Sequence, residues 1–295
     1  MNEPSVISRK NNVINFVGTS PESFGRFTLL QKLSLSEFTE IWLAADPKGK
    51  RYALRRLNPE HRLSPSARHR FWRTCETVAH LNESVFFPAY LEHDRIDGQL
   101  YLAMEYVEGH SLAALIARQD PLLTDKLPQL LIEMASALGY VHGSGFAHLD
   151  FQPANILVAS SGNVILVDFD QAQPVSAEAL ASHHHRGTAA YLAPEQLQAR
   201  HVDPRTDIFA YGVAAYELLT GQQPFLGETV TEILAAHYDP SLPVPLEAYK
   251  PGVAPALQRI VSRCLALDPA ARYQFISVLL HDLQEAFSNQ PFEVH

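Results

Sequence analysis

The chain has 295 residues, 46% of them hydrophobic and 19% charged, a composition able to bury a substantial core. Its 23 Lys and Arg stand against 32 Asp and Glu, a net charge of −9, which argues against a surface built for nucleic acid or for an anionic membrane. Cys75 and Cys264 are too few for a disulfide framework, no stretch approaches the roughly 20 apolar residues of a membrane span, and Met1 to Phe16 lacks the apolar run of a signal peptide, so a cytoplasmic protein with protein or small-molecule partners is expected.

Residues 1–24 mix Asn, Ser, Pro and single charges without a sustained period, and a flexible tail is expected there. From Phe27 to about Tyr106 the runs are short and β-rich: Phe27-Thr-Leu-Leu, Ile41-Trp-Leu-Ala, Arg51-Tyr-Ala-Leu and Leu100-Tyr-Leu-Ala-Met. One helix is predicted among these antiparallel strands, over Ala67 to Asn82. Beyond Gly109 the period changes. Leu127, Leu130, Leu131, Met134, Leu138 and Val141 line one face of a core helix, and further helices are expected at Asp207 to Leu219, Val230 to Tyr238, Ala254 to Leu265 and Phe275 to Phe287. The reading is therefore α+β, with a small sheet-rich lobe at 25–106, a larger helical lobe at 107–290, and a short C-terminal tail at 291–295.

Three segments set carboxylates and amides among apolar residues: His148-Leu-Asp150-Phe-Gln152-Pro-Ala-Asn155-Ile-Leu157, Val167-Asp168-Phe169-Asp170, and Gly187-Thr188-Ala-Ala-Tyr191-Leu-Ala-Pro194-Glu195. Buried charge needs a partner. An Asp able to take a proton, with an Asn and a second Asp able to hold a divalent cation, is the set a phosphoryl transfer requires, and oxygen ligands suit Mg²⁺.

At these residues the chain resembles the eukaryotic-like protein kinase family, most closely its bacterial Ser/Thr members, over about Phe27 to Phe287. The resemblance implies a bilobal kinase fold, with ATP and Mg²⁺ as cofactors and a protein as substrate or partner. It makes Asp150 the candidate catalytic base, Asn155 and Asp168 the candidate metal ligands, and Ala193-Pro194-Glu195 with Arg272 the site of a buried ion pair. It further implies that Ile41, Ala53 and Leu157 sandwich an adenine whose edge pairs with the Glu105 carbonyl and the Val107 N–H, although each of these side chains could equally be ordinary core.

The chain departs from the family in several places. Ser34, Ser36 and Thr39 stand where three glycines would cradle the phosphates, so a looser grip on phosphate is expected. Arg55 replaces the third-strand lysine and Thr74 the helix glutamate that would pair with it; Glu40 is an outside candidate for the partner of Arg55, and Arg55 could also be a solvated strand charge. Glu76 points about 200° around the helix from Thr74 and is no substitute. Gln152 replaces the catalytic-loop lysine, Asp170 the glycine after Phe169, and Leu149 the arginine that would meet an activation-loop phosphate. The run His183-His184-His185 is read as solvated loop, with a pH or metal switch as the alternative. Two functions follow: a weak ATP·Mg²⁺-dependent Ser/Thr protein kinase, or a pseudokinase serving as scaffold or allosteric module. A small-molecule phosphotransferase shares the His-x-Asp and Asn spacing, but the segments around Glu195, Asp207 and Gly212 disfavour it.

Overall fold

The computed structural model describes residues 22–82, 84–175 and 189–288. The His183–His185 run, Gly187 and Thr188 lie outside the described residues, as do most of the expected N-terminal tail and the whole of the C-terminal one. The chain divides into two compact units, residues 1–71 with 90–106, and residues 72–89 with 107–295.

The first unit is built on a six-stranded antiparallel sheet in the order β1-β2-β3-β4-β6-β5. The strands are β1 (Glu22–Phe24), β2 (Phe27–Leu35), β3 (Thr39–Ala45), β4 (Arg51–Leu57), β5 (Tyr90–Ile96) and β6 (Gln99–Glu105). Alternation sends Phe27 and Leu29 of β2, Tyr52 and Leu54 of β4, and Tyr101 and Ala103 of β6 to one buried face. Phe27 packs edge-on against Tyr52 and Tyr101, with ring centres 5.5 and 5.8 Å apart. β1 lies inside the segment expected to be tail.

Helix α1 (Pro65–His80) was expected two residues later. Its first turns belong to the first unit, while Trp72 to His80 belong to the second, so the helix is not simply a part of the sheet-rich lobe.

The second unit contains α2 (Leu127–Gly143), α3 (Pro204–Thr220), α4 (Val230–His237), α5 (Pro255–Cys264) and α6 (Ile276–Ser288). All six residues expected on the core face of α2 are buried. α3 is apolar around almost its whole circumference and buried along nearly its whole length, as a central helix must be. The Asp203 side chain caps its start, and Gly221, with φ +72°, ends it in the left-handed conformation that glycine takes without penalty. At Gly212 a Cβ would come within 2.7 Å of the Cys264 Cβ, so the close approach of α3 and α5 depends on this glycine.

Glu195 and Arg272 form the expected buried pair. Arg272 donates through Nη1 to Glu195 Oε1 at 2.7 Å and through Nη2 to Oε2 at 2.8 Å. Its remaining N–H groups reach the carbonyls of Ala266, Arg205 and Leu267. All five guanidinium donors are thus used by a side chain that is 1% exposed. Thr206 Oγ1 donates to the same Glu195 carboxylate, and the guanidinium lies 4.9 Å from the centre of the Phe209 ring.

Candidate active site

The segment carrying Asp150 is fixed from α3. Asp207 accepts the His148 N–H at 2.8 Å and the Leu149 N–H at 2.7 Å, and His142 Nε2 lies 2.8 Å from the same carboxylate. This grip holds Leu149 at φ +62°, an unfavourable conformation for a residue with a branched side chain. The side chain itself packs with Ala147 and Val202 in a small buried cluster, so an apolar contact fills the position where the family has arginine. Gln196 Nε2 donates to the Leu149 carbonyl from the helix turn that carries Glu195.

Asp150 is held between two amides. Gln152 Nε2 donates to Oδ1 at 2.6 Å and Asn155 Nδ2 to Oδ2 at 2.9 Å, while Asn155 also donates to the Asp150 carbonyl. Gln152 therefore orients the carboxylate as the missing lysine would, but brings no positive charge. Burial, and then the negative charge of Asp168, push the Asp150 carboxyl up to about 7 against the pull of the two amides. His148 is fully buried, which pushes its ring below the ordinary histidine value, and its Nδ1 accepts the Asp150 N–H.

Asp168 sits at φ +66° at the start of a turn. Phe169 behind it is buried, edge-on to Phe87 at 5.3 Å and to His148 at 5.0 Å. Thr74 Oγ1, from α1, donates to Asp170 Oδ1 at 2.9 Å, and Arg73 Nη2 donates to the Asp170 carbonyl at 3.3 Å. The extra carboxylate is engaged by the residue that stands in for the helix glutamate.

The donors suit a hard divalent cation. Asp168 and Asp170 both raise the Asp150 carboxyl through their charge, and a cation beside Asp168 would relieve that repulsion; among the described residues no three His, Cys, Asp or Glu side chains are gathered to hold a metal ion by themselves, so part of its shell would come from Asn155 and the nucleotide. With Nδ2 committed to Asp150, Asn155 keeps its Oδ1 for such an ion.

In the first unit the phosphate-loop positions are organised differently. Ser34 and Ser36 are exposed, whereas Thr39 is buried at 7% exposure. Ser36 Oγ donates to the Thr39 carbonyl at 2.9 Å, the Thr39 N–H donates back to Ser36 Oγ at 3.0 Å, and Asn58 Nδ2 donates to the carbonyls of Ser36 and Glu37. Side-chain hydroxyls close this turn, and none of Ser34, Ser36 and Thr39 has positive φ, so the glycines' conformational freedom is not called upon. Phe38, at the tip, lies under the Arg70 guanidinium, 4.7 Å from its ring centre, and beside the His61 ring.

Arg55 is 4% exposed, which overturns its reading as a solvated strand charge; its Nη2 donates to Thr39 Oγ1 at 3.0 Å. Glu40 forms its ion pairs with Arg56 and Lys32. The reason is register: Glu40 faces Arg56 directly across β3 and β4, while Arg55, one residue on, projects to the other side of the sheet.

The residues matched to an adenine site are distributed between the units. Ile41 and Ala53 lie on β3 and β4, with Glu105 at the end of β6. Val107 and Leu157 lie in the second unit, Leu157 on the strand Ile156–Ala159. Ile41, Ala53, Val107 and Leu157 are each partly buried, while Leu54 and Ile156 beside them are fully covered.

The protein kinase domain model matches residues 28–283. The chain belongs to the protein kinase family. A probable serine/threonine-protein kinase of Streptomyces coelicolor is 31% identical over 90% of this chain and 41% of its own length. PknB, a serine/threonine-protein kinase of Mycobacterium leprae, is 30% identical over 93% of this chain and 45% of its own. This kinase domain therefore spans less than half the length of these relatives. Among solved structures, the PknI kinase domain of Mycobacterium tuberculosis superposes with a TM-score of 0.66 at 27% identity, over 91% of this chain and 99% of that one, and shares its bilobal kinase fold. The kinase domain's least conventional contact, Thr74 with Asp170, joins two departures 96 positions apart that no local sequence signal connects.

Proposed function

We propose that this kinase domain binds ATP·Mg²⁺ and transfers the γ-phosphoryl group, at a low rate, to Ser or Thr hydroxyls of a protein substrate. The observation that carries the reading is the constellation around Asp150: a carboxylate oriented by Gln152 and Asn155, beside Asp168 in its left-handed turn. Bound ATP·Mg²⁺ supplies the phosphoryl group and the positive charge that offsets the build-up of negative charge during transfer. Asp150 takes the proton of the incoming hydroxyl and aims its oxygen, and a carboxyl whose pKa lies near neutrality suits that exchange. Asn155 and Asp168 hold the cation. Gln152 keeps the base in register without neutralising the transferred group, one source of the low rate.

A second reading, that of a pseudokinase acting as a scaffold or allosteric module, is favoured by the Ser36, Thr39 and Arg55 hydrogen bonds. They spend on each other groups that would otherwise meet phosphate. A melting scan with ATP, with and without Mg²⁺, tests nucleotide binding. A ligand at 100 times its dissociation constant adds about 2.7 kcal/mol, and each kcal/mol is worth roughly 2–4 °C in a chain of this size. A Mg²⁺-dependent rise that is absent in Asp168→Ala supports the kinase reading. Incorporation of γ-phosphate into a generic protein substrate, lost in Asp150→Asn, separates a slow kinase from a nucleotide-binding scaffold.

A further inference from the structure

The turn at Asp168 to Asp170 must be held by its surroundings. Asp168 lies at φ +66°, where a residue with a Cβ is disfavoured, and its carboxylate is the one read above as the principal metal ligand. A side chain at 170 also narrows the conformations open to the segment compared with glycine. Phe87 and His148 grip Phe169. On the far side of Phe169 the grip comes from α1: Thr74 Oγ1 donates to Asp170 Oδ1, and Arg73 donates to the Asp170 carbonyl. The Asp170 N–H in turn donates to Asp168 Oδ1 at 3.3 Å, and the Ala172 N–H closes the turn onto the Phe169 carbonyl at 3.1 Å. A chain of hydrogen bonds thus runs from Thr74 through Asp170 to the Asp168 carboxylate.

Both ends of the Thr74–Asp170 bond are departures from the family pattern, and each suits the other. With glycine at 170, the Thr74 hydroxyl, in a residue 2% exposed, would lose this acceptor. With glutamate at 74, a second carboxylate would stand against Asp170.

We propose that Thr74 is a positioning residue: its hydrogen bond to Asp170 sets the Asp168 turn, taking over from the missing helix glutamate the task of linking α1 to the reaction chemistry. The role of the turn rests on reading Asp168 as the metal ligand; the hydrogen-bond chain itself does not. The test is amide hydrogen exchange at Asp170 and Ala172 in the nucleotide-free protein. It compares the parent with Thr74→Ser, which keeps the hydroxyl, Thr74→Val, which keeps only the shape, and Asp170→Gly, which removes the acceptor. Thr74→Val and Asp170→Gly should each exchange roughly tenfold faster, the effect of one lost hydrogen bond to a charged group on an opening equilibrium, and Thr74→Ser should match the parent. The double variant Thr74→Val/Asp170→Gly should be no faster than Asp170→Gly alone, because Thr74→Val then has no bond left to remove. Parent-like exchange in Thr74→Val and Asp170→Gly, or equal acceleration in Thr74→Ser and Thr74→Val, would overturn the proposal. If Thr74→Val does not fold, Asp170→Ala, which removes the acceptor and keeps a Cβ at the position, decides against the parent by the same criterion. In a parallel titration, the gain in ATP affinity on adding Mg²⁺ should shrink in Thr74→Val and return in Thr74→Ser. A parent that binds no ATP·Mg²⁺ would remove the functional reading, while the exchange comparison would still decide the Thr74–Asp170 link.

Discussion

The two units have treated the same inheritance differently. In the second, several contacts the family pattern calls for are kept, Asp207 under the catalytic segment, Asn155 on Asp150 and Arg272 on Glu195, beside one rewritten pair, Thr74 with Asp170. In the first, the loop and strand positions that would serve phosphate have been rewritten, and the new residues bond to one another, Ser36 to Thr39 and Thr39 to Arg55. The difference shows that motif positions can change together when each new side chain satisfies the polar groups of its neighbour, at little cost to the fold.

The sharpest way to break this comparison is at Arg272. Arg272→Ala leaves the Glu195 carboxylate buried without its cation, a change that typically costs about 3–5 kcal/mol. A fall in melting temperature of roughly 6–20 °C is expected at about 2–4 °C per kcal/mol. A variant melting within a degree or two of the parent would mean that the second unit does not depend on this pair.

The next effect is one of pH. His237 is enclosed by Phe209 and Phe225, with ring centres 5.3 and 4.5 Å away, and burial pushes its pKa down to about 4; the Glu195 charge opposes the shift and Arg272 adds to it. The unfolded chain takes up a proton near the ordinary value of about 6.5, while the folded chain resists until about 4, so stability is lost as pH falls between those values. The expected loss is on the order of 2–3 kcal/mol, and it should be absent from the His237→Phe profile measured by denaturant melts at pH 7 and pH 4.5. Parallel profiles for parent and variant would rule out a neutral buried imidazole.

A restoration experiment follows, with an effect of about 1.4–2.7 kcal/mol in the barrier. From sequence, Arg55→Lys with Thr74→Glu should rebuild the phosphate clamp. The Thr74–Asp170 bond adds a third change, because a glutamate at 74 would face the Asp170 carboxylate. Phosphotransfer should rise by roughly one to two decades only when Asp170→Gly is included, each decade being 1.36 kcal/mol. An equal rise without Asp170→Gly would show that Asp170 does not oppose the glutamate. The smallest effect, about 1 kcal/mol, is expected for Thr39→Val, which removes the acceptor for Arg55 Nη2. Tighter ATP binding in Thr39→Val would favour the scaffold reading, in which Thr39 keeps Arg55 occupied; weaker binding would favour a loop whose order serves the nucleotide.

Much of the fold is legible in the chain where burial is one-sided. The period of Leu127 to Val141 and the alternation of Phe27, Leu29, Tyr52 and Leu54 announce the faces they bury. In the six-stranded sheet, the two strands absent from the sequence reading, Glu22–Phe24 and Tyr90–Ile96, are its edges, and Glu92, His93, Asp94 and Arg95 leave β5 without an alternating apolar signature. The chemistry-bearing residues stand out because Asp150, Asn155 and Asp168 carry polar groups into apolar surroundings. What pairs with a departure is harder to read: the partner of Arg56 rather than Arg55 proved to be Glu40 because of strand register, and Thr74 meets Asp170 through a contact spanning 96 positions.

Leu149 carries one more consequence. An arginine at that place would make the setting of the catalytic segment depend on a phosphate elsewhere in the chain, and hence on ionic strength and on phosphatases. An apolar anchor packed on Ala147 and Val202 answers to neither. Contacts of this kind weaken on cooling and are insensitive to dilute salt, so the setting of this segment should follow temperature rather than ionic strength.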